Sequence, residues 1–502
     1  KQIWIKKMRT FWKKCGIRGT AGGLTAATAL SFTACNPSDN RGHVDEETGT
    51  VYLTFAGRSN DAEEANFRTF INQFMDEHPN YVVDVQWYAN ETAYMLALKG
   101  MGSDLPDLFF LGSDQFVSFA EAGLLADYKE YVDMDELKSL IYTDAAEAYC
   151  YNTVTDEFGW DPDNPDCGFY GYPKDQGPYA LMYNKTLFTE LADIYNNGRP
   201  ESEQISLPSA TRPYTYQEFI DVCLALKDVY EATYNQAFYP CAEYDLDSAI
   251  YSNNADYFDE GAFHQTITTD NFVQAIEFFQ DLYTEGVVPP HGGTYAGGES
   301  AFINGNALFY YVGPWKMKDY WQSITFEWDL TPCCVGPADG AVSTAYMGSM
   351  GYCIAAKSQV KEQAAYLAEW LATNEGAQRS MYMRGQSIPN LISLADEFNN
   401  DTLGLLANRE SPDHRSVWID IVDGYGTTKV DENGEEYTDC VTGRWRAARF
   451  TYSSAWRTDF SSWLSGQGTN GKCVWCNEIT AKESLEQFAP LLQQLLDDMK
   501  AM

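Results

Sequence analysis

The sequence predicts an α/β fold in which strands alternate with helices. Three short apolar runs of strand length occupy residues 51–56, 81–87 and 108–111, and helical patterns with one apolar face separate them. This order is typical of βαβ units and therefore of a mainly parallel sheet. With 502 residues, of which 45% are hydrophobic, the chain can bury cores for two or three domains and is too hydrophobic for a disordered protein.

The predicted parallel sheet selects a first set of binding residues. Ligands of open α/β sheets gather at the carboxyl ends of the strands. Arg58, Trp87 and Asp114 close or follow the three apolar runs, so we expect them near a ligand. Asp114 has an alternative role as the N-terminal cap of the next helix, and the two roles are compatible.

The first 34 residues predict an export signal rather than a part of the fold. They hold seven basic residues and no acidic one, and their second half is a run of small, mostly apolar residues. The run ends with Phe-Thr-Ala before Cys35, which resembles the lipobox of bacterial lipoproteins. The resemblance implies that Cys35 is acylated; a plain signal peptide with an incidental cysteine is the alternative. Residues 35–50 are polar, and we expect a tether there.

The overall charge argues against two classes of partner. The formal net charge of −38 disfavours nucleic acid, whose phosphates a binding protein must neutralise. It equally disfavours an anionic membrane surface. Beyond the export signal, no run is long and apolar enough to span a bilayer.

The cysteines and acidic residues predict neither a metal site nor a cofactor site. Cys473 and Cys476 have the C-x-x-C spacing, but zinc would need a second pair of ligands nearby. In an exported protein we expect a small disulfide-closed loop there. The acidic segment 150–168 lacks the spacing of a calcium-binding loop, and we expect it to be a solvated loop.

Local patterns in the second half predict further helices and one exposed aromatic side chain. Thr215 and Glu218 form a capping box that opens a helix. Further on, Gly305 ends a helix and residues 307–312 form a strand, which the Gly-Pro pair before Trp315 stops. We expect Trp315 to point out of the sheet; the alternative is that it fills a core.

Two segments carry a family resemblance. Residues 300–315, with the pattern F-x-x-G-x-A followed by Gly-Pro-Trp, and residues 106–127, with Pro-Asp-Leu-Phe-Phe followed by Ala-Gly-Leu-Leu-Ala-Asp, resemble bacterial extracellular solute-binding proteins of the maltose-binding type. The resemblance implies a two-lobed, periplasmic-binding-protein-like fold. Each lobe would be a mainly parallel sheet flanked by helices, with the ligand cleft between the lobes.

The same resemblance implies a division of the chain. Residues 1–34 would be the signal peptide and 35–50 the lipid-anchored tether. Lobe 1 would comprise residues 51–175 and 346–388, and lobe 2 would comprise 176–345 and 389–502. The chain would then cross between the lobes near Asp175, Tyr346 and Pro389.

The resemblance also implies roles for individual residues. Trp315 matches a tryptophan that stacks on sugar, and Asp114 matches a sugar-binding aspartate on the other lobe. Leu111 stands where that family member has a stacking tryptophan, so the resemblance leaves the sugar preference of this chain open. The remaining candidates lie in the first crossing and in the second lobe: Asp175, Gln176, Glu243 and Tyr244. Three tryptophans are candidates for a further stacking ring, and nothing in the sequence chooses among them: Trp418, Trp445 and Trp456.

We therefore expect an exported lipoprotein that captures a carbohydrate, in particular an oligosaccharide, for an ABC importer. Its partners would be the carbohydrate, the transmembrane permease subunits and, through Cys35, the outer face of the cytoplasmic membrane. It would be a monomer without cofactor. The chain has five histidines, none in a metal or catalytic motif, and lacks the G-x-S-x-G and P-loop motifs, so we expect no enzyme. A surface-anchored carbohydrate-active enzyme and a glycan-binding adhesin are the alternatives.

Overall fold

The computed structural model describes residues 42–58, 61–113, 115–155, 157–259, 264–293, 297–406, 411–424, 426–430, 436–445 and 454–500. Its strands are β1 His43–Val44, β2 Val51–Arg58, β3 Tyr81–Tyr88, β4 Leu108–Gly112, β5 Cys150–Asn152, β6 Glu157–Phe158, β7 Cys167–Phe169, β8 Tyr172–Pro173, β9 Gly177–Pro178, β10 Ala180–Asn184, β11 Phe309–Val312, β12 Trp328–Thr331, β13 Ser343–Gly348, β14 Met350–Ile354, β15 Gly426–Val430 and β16 Glu436–Trp445.

The α-helices are α1 Asp61–Glu77, α2 Glu91–Met101, α3 Phe116–Glu121, α4 Met134–Leu140, α5 Thr143–Glu147, α6 Lys185–Asn196, α7 Tyr216–Tyr234, α8 Leu246–Tyr251, α9 Asp270–Thr284, α10 Gly298–Ile303, α11 Met317–Ser323, α12 Lys361–Thr373, α13 Glu375–Met383, α14 Ala395–Asn400, α15 Ser416–Asp423, α16 Ser454–Leu464 and α17 Ala481–Lys500. No helix in these ranges combines the length and the apolarity needed to cross a membrane.

The first lobe is built on one sheet with the order β1-β2-β4-β14-β8, and β3 pairs with the other edge of β2. Every residue of β4 is buried, as expected for a central strand that helices cover on both faces. Helix α1 contributes Phe67, Phe70, Ile71 and Phe74 to the core, all at most 1% exposed. These are the residues whose spacing predicted one buried face, so this part of the prediction is confirmed.

Asp107 is a buried acid that joins four parts of the first lobe. Its Oδ2 accepts hydrogen bonds from the backbone N–H of Gly42 at 3.0 Å and from the N–H and the hydroxyl of Thr54 in β2, at 2.9 and 2.7 Å. Its Oδ1 accepts from the Ser358 hydroxyl at 2.7 Å. A buried carboxylate with this many donors is well compensated for its lost hydration.

The last residues of the predicted tether belong to the sheet. Strand β1 pairs antiparallel with the start of β2, and the His43 ring stacks on Tyr52 with centroids 4.8 Å apart. The Asp45 carboxylate turns the chain by accepting from the N–H groups of Glu47 and Thr48. The expectation of a tether through residue 50 is therefore corrected, since residues 42–50 form a hairpin with β2. Residues 1–41, with the predicted signal and Cys35, lie outside the described residues.

The second lobe contains two sheets. One has the order β11-β10-β12, and the other has the order β15-β16-β13-β9. Around the first of these, helices α7 and α9 pack with the C-terminal helices α16 and α17 in a common core. Thr215 and Glu218 form the predicted capping box at the start of α7, and Cys473 and Cys476 form the predicted disulfide.

Parallel pairing is less extensive than the sequence predicted. Among the described strands it occurs between β2 and β3, β2 and β4, and β13 and β16. Strands β14 and β10 pair antiparallel with their neighbours β4 and β11. The reason is that both begin at the boundary between the lobes and run away from it, whereas β2, β4 and β11 run towards it.

The acidic segment 150–168 is also more ordered than predicted. It contains a small antiparallel sheet in the order β6-β5-β7 instead of an open loop. All residues of β5 and β7 are buried, which supplies the apolar contacts that hold this sheet in place.

We predict that Asp107→Ala lowers the free energy of unfolding by about 3 kcal/mol, because it leaves buried donors of several segments without a charged acceptor. Urea denaturation followed by circular dichroism measures this. The matched control is Asp84→Ala, at an exposed position of β3, with an expected change within about 0.5 kcal/mol. Equal stability of the two variants would show that the Asp107 network is not needed.

Candidate functional site

A cavity of about 500 Å³ lies where the two lobes meet. We call it the cleft. Strands β2, β4 and β11 all end there, and their carboxyl ends supply Arg58, Gly112 and, just after Gly313, Trp315. The two chain segments that link the lobes, 174–179 and 346–350, form the floor of the cleft. Its volume falls within the range that binding sites for small ligands have in proteins.

Trp315 stands at the cleft with 38% of its surface exposed. Strand β11 ends at Val312, and Trp315 lies in the single helical turn Pro314–Lys316. The indole lies so close to the backbone that a Cβ atom on Gly313 would be 1.8 Å from its Cζ3 atom, and one on Gly177 would be 2.8 Å away. A side chain at position 313 would therefore displace the indole from this position. The predicted exposure of Trp315 is confirmed over the alternative of a core residue.

Three tyrosines extend the aromatic surface from Trp315. The ring of Tyr179 lies 5.5 Å from the indole, 5.2 Å from the ring of Tyr346 and 5.0 Å from that of Tyr311. Tyr179 and Tyr346 come from the two linking segments, whose backbones are joined by a hydrogen bond from Tyr179 N to Tyr346 O. Such faces can pack against the apolar faces of a sugar ring, while the hydroxyls bind polar groups.

A buried ion pair lies in the floor of the cleft. The Lys174 side chain is 2% exposed, and its Nζ lies 2.5 Å from Oδ2 of Asp175 and 3.2 Å from Oε1 of Glu63 in α1. Burial acts to lower the pKa of Lys174, but the two carboxylates outweigh it and raise the pKa. Lys174 is therefore held as a cation, and Asp175 is positioned by it within the cleft.

Asp175 also joins the linking segments to each other. Its Oδ1 accepts from the N–H of Met350 at 3.1 Å, and Lys174 N donates to Met350 O at 2.7 Å. Asn390 donates from its Nδ2 to the carbonyls of Pro173 and Lys174, at 2.9 and 3.1 Å. Segments 173–175 and 349–350 and residue 390 therefore meet at this ion pair.

Arg58 lies on the first-lobe wall. Its guanidinium pairs with Glu91 at 2.8 Å and also contacts Met350 Sδ at 3.5 Å. Within the described residues its buried Nε has no hydrogen-bonding partner. Arg58 therefore presents a fixed cation next to the cleft, as the strand-end rule predicted.

Polar contacts also cross directly between the lobes at Lys318. Nζ of Lys318, in α11, donates to Oδ1 of Asn66 in α1 at 3.2 Å. Asn66 in turn donates to Oε1 of Gln386 at 3.1 Å, and Lys318 N donates to Gly385 O. Asn66 and Gln386 are both buried, so this contact closes one edge of the cleft.

Some predicted binding residues lie away from the cleft lining. Trp87 is half-buried and packs against Phe67 and Phe110 of the first-lobe core, with ring centroids 5.5 and 6.0 Å apart. Gln176 is 1% exposed, and within the described residues neither atom of its amide has a hydrogen-bonding partner. Asp114 lies outside the described residues.

Glu243 and Tyr244 line a second cavity in the second lobe rather than the cleft. The Tyr244 ring is 5% exposed and its hydroxyl accepts from the N–H of Cys334 at 2.8 Å, so it is largely a core residue. Trp418 and Trp456 are buried in second-lobe cores and are not stacking residues of the cleft. The side chain of Trp445 lies outside the described residues.

Sequence reasoning missed several cleft residues. Lys174, Tyr179 and Tyr346 are the most prominent, and each lies in a segment that was predicted to link the lobes. Had every polar or aromatic residue of the predicted linking segments been taken as a candidate binding residue, these three would have been included. Phe110 and Lys318 carried no such signal, because a strand interior and a helix surface are the usual places for these residue types.

The described residues contain no group of three or more His, Cys, Asp or Glu side chains arranged to hold a metal ion. What the cleft offers is an aromatic face, fixed carboxylates and fixed cations from both lobes. That combination suits reversible binding of a polar ligand.

Several solved structures have the same fold as this chain. An ABC substrate-binding protein from Listeria monocytogenes, in complex with cycloalternan, is 18% identical with a TM-score of 0.64 over 89% of this chain and 99% of its own. The cyclic alpha-maltosyl-1,6-maltose binding protein from Arthrobacter globiformis is 14% identical with a TM-score of 0.64, over 90% and 100%. A Mycobacterium tuberculosis protein in complex with glycerophosphocholine is 15% identical with a TM-score of 0.63, over 90% and 100%.

At these identities the structural likeness shows the two-lobed fold. The family follows from the sequence model described as "bacterial extracellular solute-binding protein", which matches residues 59–378, more than half of the chain. Both segments that carried the resemblance lie within this range. The chain therefore belongs to the bacterial extracellular solute-binding protein family.

Proposed function

We propose that the protein captures a carbohydrate, in particular an oligosaccharide, and delivers it to the transmembrane permease of an ABC importer. The observation that carries the proposal is that the exposed indole of Trp315, the rings of Tyr179 and Tyr346 and the fixed carboxylate of Asp175 line one cleft. Stacking faces beside hydrogen-bond acceptors suit a ring that has apolar faces and hydroxyl edges. Two of the similar solved structures bind cyclic oligosaccharides, which supports the same ligand class.

The two-lobed form explains how capture works. A ligand that contacts Trp315 on one lobe and Arg58 on the other binds the closed arrangement more tightly than the open one, and so shifts the population towards it. The Lys318–Asn66 contact adds to the closed arrangement. A wrong sugar that leaves buried polar groups of the cleft unpaired is rejected.

The proposal includes an export route and an anchor. The lipobox-like segment before Cys35 supports a lipoprotein held at the outer face of the cytoplasmic membrane, where the permease is located. The protein acts as a monomer in this scheme, and it releases its ligand chemically unchanged. We divide the chain between the lobes at the linking segments near Asp175, Tyr346 and Pro389.

Calorimetric titration with a panel of oligosaccharides tests the proposed function, with the products analysed after each run. Binding without turnover is the expected result. Glycerophosphocholine is included because one protein of the same fold holds it. Binding of that compound with no response to any sugar would contradict the carbohydrate assignment, and turnover would indicate an enzyme.

We predict that Trp315→Ala weakens sugar binding by about 2 kcal/mol, as for other aromatic anchors. Asp114→Ala should cost about 1.5 to 3 kcal/mol, the range for a hydrogen bond to a charged group. Both are measured by calorimetry with a sugar that binds the unmodified protein. Trp315→Phe, which keeps an aromatic face, should retain part of the affinity. Variants that fold and bind normally would show that the ligand lies elsewhere.

We also predict that saturating ligand reduces the radius of gyration, because the lobes close as rigid bodies. Small-angle scattering with and without the sugar measures this change. Trp315→Ala at the same sugar concentration is the matched control and should stay more open. An unchanged radius in the unmodified protein at saturation would contradict the two-lobed trap.

For the anchor, we predict that the native protein partitions with membranes and that Cys35→Ser releases it or blocks its processing. The reason is that acyl chains on Cys35 would supply the membrane affinity, and even one chain gives measurable binding. Fractionation of cells that express each form measures the partition, and Cys15→Ser is the control at another cysteine of the signal region. Equal release of all three forms would exclude the lipid anchor.

A further inference from the structure

Tyr149 is a fully buried tyrosine that lies behind the floor of the cleft. It follows helix α5 and directly precedes strand β5, and 0% of its surface is exposed. Its hydroxyl lies 3.0 Å from the carbonyl oxygen of Ser349 and 3.4 Å from that of Leu111. A phenol has one hydrogen to donate, and the nearer acceptor is Ser349. Tyr149 therefore bonds to the linking segment 346–350 from inside the first lobe.

The peptide unit between Ser349 and Met350 is hydrogen-bonded at both of its polar groups. Its carbonyl oxygen accepts from the Tyr149 hydroxyl and from the N–H of Ser113, each at 3.0 Å. Its N–H, which belongs to Met350, donates to Oδ1 of Asp175 at 3.1 Å. Hydrogen bonds in a chain polarise one another, so a donor at the carbonyl strengthens the bond that the N–H makes. The Tyr149 hydroxyl therefore acts on Asp175 through this peptide.

The groups that this peptide joins all line the cleft. Ser113 follows β4 on the first-lobe wall, and Ser349, Met350 and Asp175 belong to the floor. Asp175 has the carboxylate that the proposed function assigns to the hydroxyls of a sugar. A side chain that touches a ligand keeps its orientation only when other contacts hold it there. The orientation of Asp175 therefore depends on the Met350 N–H as well as on its ion pair with Lys174.

The ring of Tyr149 is held in place by close packing. A Cβ atom on Gly351 would be 2.5 Å from its Cε1 atom, and one on Gly171 would be 2.9 Å from its Cδ1 atom, so the ring lies directly against the backbone at both glycines. It also contacts Phe116, the first residue of α3, with ring centroids 5.2 Å apart. These contacts keep the hydroxyl at the Ser349 carbonyl.

The small sheet β6-β5-β7 fixes the backbone of Tyr149. The carbonyl oxygen of Tyr149 accepts from the N–H of Tyr170 at 3.0 Å, which continues the pairing of β5 with β7. The same sheet is bonded to α3, because the Tyr151 hydroxyl donates to Oε1 of Glu121 at 2.8 Å. The acidic segment 150–168, which the proposed function does not use, therefore supports the cleft from behind.

From these contacts we propose that Tyr149 is a positioning residue for ligand binding: it holds the carboxylate of Asp175 ready for the ligand through the peptide between Ser349 and Met350. The inference rests on the proposed function and adds to it a residue that does not touch the ligand. The bond from Ser113 to the same carbonyl ties the first-lobe wall to the floor. An acceptor that is fixed beforehand loses less conformational entropy when a ligand binds.

The test removes the hydroxyl of Tyr149 and keeps its ring, by Tyr149→Phe. The matched control is Tyr128→Phe. Tyr128 is also 0% exposed in the first-lobe core, and its hydroxyl donates to the carbonyl of Tyr352 in β14 at 2.6 Å, outside the lining of the cleft. Linear and cyclic oligosaccharides of glucose, galactose, mannose and xylose are titrated into each protein by calorimetry. Thermal unfolding measures stability, and hydrogen exchange of the ligand-free proteins follows residues 346–350.

We expect both variants to fold and to lose similar stability, because each loses one buried hydrogen bond. Tyr149→Phe should lower the affinity for the oligosaccharide that binds the unmodified protein best by about fivefold, the effect of one hydrogen bond. Tyr128→Phe should bind that oligosaccharide like the unmodified protein. Amide exchange in residues 346–350 should be faster in Tyr149→Phe and unchanged in Tyr128→Phe.

The other outcomes overturn the inference in distinguishable ways. If Tyr149→Phe binds like the control, its hydroxyl has a structural role only, and the proposed function stands. Equal losses of affinity in both variants would indicate a looser first lobe rather than a misplaced Asp175. Unchanged exchange in residues 346–350 of Tyr149→Phe would show that the hydroxyl does not hold the floor. If no oligosaccharide binds the unmodified protein, the proposed function and the inference are both rejected.

Discussion

The structure depends on one buried ion pair, between Lys174 and Asp175, where segments from both lobes meet. A buried ammonium group without partners would be strongly destabilising, and removing one partner of such a pair typically costs on the order of 3 to 5 kcal/mol. Here Asp175 and Glu63 supply the charge, and the backbone of Met350 completes the bonding of Asp175. The segments that join the lobes are therefore tied to each other and to helix α1, and these bonds hold the floor of the cleft in place.

The position of the floor explains why the aromatic surface forms where it does. Tyr179 and Tyr346 come directly after and before the tied segments, so the ion pair also sets the place of their rings. Trp315 then reaches the same surface from the end of β11, over two glycines that leave room for its indole. Charged groups bind the edges of a ligand and aromatic rings its faces, and both sets are in place before a ligand arrives. Such preorganisation reduces the entropy lost on binding.

Structural features that depend on residues close together in the sequence could be predicted. Features that depend on contacts between distant parts of the chain could not. The capping box at Thr215, the glycine-terminated helix before Gly305 and the short disulfide loop each depend on neighbours within a few residues. The antiparallel course of β10 and β14 depends instead on where the chain crosses between lobes. Trp87 shows the same limit: the strand-end rule placed it at the cleft, whereas its ring packs against Phe67 of the preceding helix α1.

The sequence by itself determined the family, the alternation of strands and helices, the exposed Trp315 and the candidate anchor at Cys35, because each is written in local pattern or contiguous motif. Only the tertiary structure decided which charged groups meet in the cleft, that Glu243 lines a different cavity, and that Trp475 lies beside it. These residues are brought together by contacts between segments more than a hundred residues apart in the chain, such as Trp475 with Tyr283. The spacing of residues along the sequence cannot predict such contacts, because they form only when the two lobes fold around their separate cores.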